Sequence, residues 1–137
     1  LYTVKHHFEK IEVTTKHKEA VRELFQLRKS RLFEIVKMRG WLWWPSHFPA
    51  VHHIAVTDGK IYMIPYKKKQ GKVQLYVFDI KGKLLRRVAT PLTKENMFAL
   101  HPMCIKNGKI YQLSENEEDE VWELSVHHIA KLPDISE

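Results

Sequence analysis

A thirteen-residue segment of this chain recurs 49 positions later, and that recurrence limits the available folds more than any other feature. Ala50-Val-His-His-Ile-Ala-Val-Thr-Asp-Gly-Lys-Ile-Tyr62 aligns without a gap on Ala99-Leu-His-Pro-Met-Cys-Ile-Lys-Asn-Gly-Lys-Ile-Tyr111. The same offset carries Leu75, Val77 and Ile80 onto Leu124, Val126 and Ile129, giving nine identities in 31 ungapped positions. Most of the shared residues are apolar or turn-forming, so what is repeated is architecture rather than chemistry. Asp58-Gly59 and Asn107-Gly108 fall at the same place in each copy, and such pairs are the strongest short hairpin signals.

The first copy reads as four strands, near Val51–Val56, Lys60–Tyr66, Val73–Ile80 and Leu84–Ala89, with Lys81-Gly82 as a further tight turn. The second reads as three, near Pro102–Ile105, Lys109–Glu115 and Val121–Ile129, and Ala130 to Pro133 leaves little room for a fourth. A period of roughly 40–50 residues built from short strands is that of a β-propeller blade. The expected fold class is therefore mainly β: two propeller-type four-stranded blades, the second lacking its outer strand, with one inserted amphipathic helix. The expected divisions are residues 1–49, a first blade over 50–92 and a second over 93–137. Two blades do not close a ring. With a start at Leu1 rather than Met, this suggests a processed or trimmed piece of a longer protein.

Residues 1–14 are rich in β-branched and aromatic types and suggest one or two strands. Thr14 or Thr15 then offers an N-cap. Ala20, Val21, Leu24, Phe25, Leu32, Phe33, Ile35 and Val36 follow at helical spacing until Gly40. Of the formal charge of +7, the stretch from Lys16 to Arg39 supplies +5, with eight Lys or Arg against three Glu. Trp41, Trp43 and Trp44 lie in the proline-flanked loop that follows. They are expected to pack between the helix and the sheet edges, or alternatively to form an aromatic stacking platform.

Val77-Phe-Asp-Ile-Lys-Gly-Lys-Leu-Leu85 resembles the strand-turn-strand tag of bacterial six-bladed β-propellers of the NHL/TolB-like group. The Phe48-Pro49 lead-in, the two Gly-Lys-Ile-Tyr turns and the Val121-Trp-Glu-Leu124 strand are similar to the last two blades of such proteins. The resemblance implies positive φ at Gly59, Gly82 and Gly108, and Tyr62 and Tyr111 packed between sheets. It also implies a periplasmic or extracellular location. The basic helix and the tryptophan loop lie outside the family's minimal blade.

Few residues point to chemistry. The doublets His6-His7, His52-His53 and His127-His128 cannot chelate one ion from a strand, because neighbouring side chains face opposite ways. No Cys or carboxylate stands near them at zinc spacing, so no metal or cofactor is expected. His52 and His101 hold equivalent places at the entry to the first strand of each copy and are candidates to line a central channel. Lys67, Lys68 and Lys69 sit in a basic hairpin whose counterpart, containing Glu117, Glu118, Asp119 and Glu120, is acidic. The opposed charges suggest attraction between neighbouring blades or between molecules. Cys104, the single cysteine, reads as a small buried hydrophobe. No nucleophile elbow, phosphate loop or dinucleotide fingerprint appears, and no catalytic residue is assigned. No stretch reaches the ~18–20 apolar residues of a membrane span.

The leading expectation is a non-enzymatic structural or binding module, completed by other blades of a precursor or by further copies of the chain. Three copies of two blades would make six. One alternative is a propeller-type hydrolase or lactonase. Another is binding of nucleic acid or an anionic surface through the basic helix, against which the helix's apolar face argues.

Overall fold

Both repeated dipeptides turn the chain in the same way. Asp58 and Gly59 have φ of 54° and 67°, and Asn107 and Gly108 have 51° and 66°. Positive φ at both central residues is the type I′ turn, whose twist matches that of the strands it joins. The computed structural model describes residues 3, 5, 7–27, 31, 35, 43–94, 98–116, 118 and 120–135. By compactness the chain divides into one unit of Leu1–Glu9 with Ala50–Glu137, and a second of Lys10–Pro49.

The larger unit is mainly β, with two antiparallel sheets. The first contains β1 (Val51–Thr57), β2 (Lys60–Pro65), β3 (Lys68–Lys69), β4 (Lys72–Asp79) and β5 (Leu84–Thr90). Its main path is the meander β1-β2-β4-β5, and β3 is a short addition where Gln70-Gly71 makes a further positive-φ turn. The Asp79 carboxylate closes the β4–β5 turn by accepting from the Lys81 and Lys83 amides at 2.9 and 2.8 Å. This is the local reason for Asp in the Phe-Asp-x-x-Gly sequence. The second sheet is β6 (Met103–Lys106), β7 (Lys109–Asn116) and β8 (Val121–His128) in sequential order.

Register is conserved between the copies. Ala55 pairs with Tyr62 and Tyr62 with Val77. Cys104 pairs with Tyr111 and Tyr111 with Val126 in the same pattern. The core lies between the sheets: Tyr62, Ile64, Val73, Leu75, Val77 and Val88 from the first, and Ile105 and Ile110 from the second, with Leu92 and Ile129. The opening strands β1 and β6 lie side by side. Here the Asp58 carboxylate accepts from the Gly108 amide at 3.2 Å, so one hairpin turn caps the other.

Beyond β8 the chain makes a short 3-10 turn, Ile129–Lys131, and then turns back to the first sheet. Asp134 bridges Val88, the Ala89 amide donates to the Pro133 carbonyl, and the Ile135 amide donates to the Arg87 carbonyl. The tail therefore covers the outer edge of β5, where unpaired backbone groups would otherwise template further strands. Arg86 fixes it, reaching the Asp134 carboxylate at 2.9 Å and the carbonyls of Ile129 and Leu132 at 3.3 and 3.2 Å.

In the smaller unit α1 spans Thr15–Leu27. The Thr14 amide donates to Nδ1 of His17 at 3.0 Å, so His17 takes the place of the Glu or Gln of a capping box. Leu32, Phe33 and Val36, expected on the same helix, lie outside the described residues.

Three expectations need correction. Among the described residues, 1–14 form no strand; Glu12 makes one bridge to His47, flanked by Val13–Ser46 and Phe48–Ile11 backbone bonds. Phe8 instead stacks on Tyr76 at 5.8 Å, so its apolar surface is spent on a sheet face rather than in a ladder. Cys104 is exposed, because among the described residues of the larger unit nothing covers its face of the second sheet. Tyr111, for the same reason, is only half-buried, whereas Tyr62 is buried.

Leu75 and Leu124 hold equivalent positions, yet Leu75 is fully buried and Leu124 is 63% exposed. In the dilute chain, Leu75→Ala is expected to destabilise by about 2–5 kcal/mol. Leu124→Ala should change stability by less than about 0.5 kcal/mol. Urea denaturation of the two variants measures both.

Candidate functional site

The candidate residues from the sequence are held separately. His52 lies in β1, where the register shifts between Val51 and His53. Its Nε2 is 2.9 Å from the Phe98 carbonyl and therefore carries the proton and donates. The ring lies 4.6 Å from that of Tyr66, and the buried Nδ1 has no hydrogen-bond partner among the described residues. His101 precedes β6, and its amide donates to the Thr93 carbonyl at 3.4 Å. No hydrogen bond or ring contact joins the two imidazoles among the described residues. Nor do any three His, Cys, Asp or Glu there converge as metal ligands.

Lys67 forms an ion pair with Glu9, a residue the sequence reading did not connect to it. Both are well exposed, so the pair contributes little to stability. Lys68 and Lys69 form β3 and pair with Val73 and Lys72. In the acidic hairpin, the Glu118 amide donates to the Asn116 side-chain oxygen at 3.1 Å, and Asn116 in turn donates to Glu123 at 2.9 Å. Glu120 takes a positive φ of 53° to close the turn. Glu117 and Asp119 lie outside the described residues, as does Trp41. Trp44 is half-buried, but Trp43 is 80% exposed and so is not packed away as expected.

A different set of residues does come together. On β6, β7 and β8, alternation places Cys104, Tyr111, Leu113, Trp122, Leu124 and Val126 on one face, through the pairs Cys104–Tyr111, Tyr111–Val126 and Leu113–Leu124. Trp122 is 61% exposed, and Leu113 and Val126 are exposed with it. Contiguous apolar area of this kind marks an interaction surface more often than a scatter of single residues does. Each of the six has a counterpart 49 positions earlier: Ala55, Tyr62, Ile64, Val73, Leu75 and Val77. Ala55 packs against the core and the other five belong to it. The alignment shows that the six share a face, since they repeat core positions of the first copy, but by itself reads that face as interior.

The opposite face of the second sheet meets the first sheet and also carries a buried polar group. Gln112, in the place of Met63, accepts from the Thr93 amide at 2.9 Å and donates to the Thr93 carbonyl at 2.9 Å. This two-way amide bond ties the linker between the sheets to β7.

His53 is half-buried in β1. Burial, and then the neighbouring His52, hold its pKa below the ordinary imidazole value. The folded chain therefore binds this proton more weakly than the unfolded chain does. The stabilisation is complete above about pH 6.5 and is lost as the pH falls through that value toward the lower folded pKa. The urea midpoint should drop on acidification across this window. His53→Asn should remove part of the drop, and an unchanged drop would refute the assignment.

No family model matches the chain, and comparisons with curated proteins and with solved structures return no match.

Proposed function

We propose that the chain is a non-enzymatic structural or binding module: two blades of a six-bladed β-propeller of NHL/TolB-like type, completed by further blades. Those blades come from the rest of a longer chain or from copies of this one. The observation that carries this reading is the unequal fate of equivalent residues. The face that holds Tyr62, Leu75 and Val77 in the first sheet is covered by the second sheet. Among the described residues of the larger unit, the same face of the second sheet, with Tyr111, Leu124 and Val126, has no cover. A third sheet docked as the second docks on the first would bury it in the same register.

Two further features support a radial stack. The opening strands β1 and β6 are neighbours and their hairpin turns are bonded through Asp58. Among the described residues the second sheet also has three strands, so β8 has no outer partner there where β4 has β5. Of the two candidate channel residues, His52 is bonded through its ring to the Phe98 carbonyl, and His101 through its backbone amide to the Thr93 carbonyl.

The single cysteine supplies the test, because Cys104 sits on the uncovered face. Alkylation by a polar maleimide is measured alongside particle mass by light scattering. Either a monomer of 16.3 kDa with reactive Cys104, or a larger particle with protected Cys104, is expected. A monomer whose Cys104 resists alkylation would mean that the face is closed within the chain, and the reading would fall.

A further inference from the structure

We infer that the uncovered face of the second sheet binds the opposite face of the first sheet in another copy of this chain, head to tail. This rests on the blade reading above and names the partner. The internal interface already uses both kinds of surface. The second sheet meets the first through Met103, Ile105 and Ile110. Their counterparts 49 positions earlier are Ile54, Val56 and Ile61, on the first sheet's outer face. Ile54 is 59% exposed, Val56 is 63% exposed, and Ile61 is half-buried. One copy therefore displays a surface of the kind that docks, and also a surface of the kind that receives docking. Phe8 occupies part of the former face, over Tyr76. Met63 and Phe78 on the same face are buried, so the surface left for a second copy is β1, at Ile54 and Val56.

Charge favours the same pairing. A sheet docked in the internal register would bring its 66–72 hairpin beside the 115–120 hairpin of the neighbour, since these align in the repeat. The first contains Lys67, Lys68, Lys69 and Lys72, and the second contains Glu115, Glu118 and Glu120. Basic and acidic hairpins then alternate along the stack. Exposed pairs add little affinity, but they steer encounter and select the head-to-tail partner over face-to-same-face contact. Because the two surfaces differ, the contact is heterologous and continues from copy to copy, into a closed ring or an open series.

Two variants with blocked faces test this. Leu124→Glu places a charge in the receiving face and Val56→Glu places one in the docking face. Both positions are exposed, so circular dichroism and the urea midpoint should match those of the unsubstituted chain. The unsubstituted chain should be larger than a monomer by light scattering, and each variant alone should fall to 16.3 kDa. Mixed in equal amounts, the variants should form a 1:1 dimer and stop, because each retains one intact face of opposite kind. Affinity in the mixture should exceed that of either variant for itself by on the order of tenfold or more. Lys68→Glu with Lys69→Glu should weaken the assembly, and Glu118→Lys with Glu120→Lys in the partner should restore it.

Self-dimers of either variant, with no gain on mixing, would overturn the head-to-tail contact. An unsubstituted monomer with readily alkylated Cys104 would remove the second copy but leave the blade reading with a different covering chain. A monomer with protected Cys104 would remove both.

Discussion

Everything in the larger unit depends on the packing of the second sheet on the first. Tyr62, Leu75, Val77 and Val88 offer a smooth apolar surface, and Ile105 and Ile110 close it. Without the second sheet this apolar face of the first would stand in water, so the docking removes a large exposed area. The same requirement then passes to the second sheet, whose far side repeats the residues of the first. Burial of each large aliphatic or aromatic side chain is worth about 1.5–3 kcal/mol, so the exposed row of Leu113, Trp122, Leu124 and Val126 leaves that stabilisation unused within the described residues.

Directional bonds fix how the sheets meet. The Asp58 carboxylate holds the Gly108 turn, the Gln112 amide grips Thr93, and Arg86 holds the returning tail. Apolar contact tolerates sliding, whereas these bonds have defined lengths and directions. Gln112 is buried and satisfied on both its oxygen and its nitrogen, so burying it costs little in unmade bonds. Its position, where the first copy has Met63, shows how one repeat has been adapted to hold the linker.

The hairpins were legible because they are local: Asp58-Gly59 and Asn107-Gly108 demand positive φ wherever they occur, and the strand bounds followed from them. The three-stranded second sheet was legible from the short run after β8. Alternation also shows which residues share a face, but it cannot say what lies opposite. That is why Cys104 and Tyr111 read as interior and stand at the surface. The tail on β5 was hidden for another reason. It is held by backbone groups and Arg86, and strand addition at an edge leaves no apolar period to read. The Lys67–Glu9 pair spans the sequence too widely for any local pattern to show it.

That returning tail also bears on how the repeats relate as units of inheritance and folding. In sequence they are tandem duplicates, and simple stacked repeats can be added or deleted one at a time because each touches only its neighbour's face. Here the end of the second copy is woven into the rim of the first through Pro133, Asp134 and Ile135. The first copy cannot finish its own border until the last residues of the second have been made. Deleting the second copy would therefore strip the first of its border as well as of its packed face.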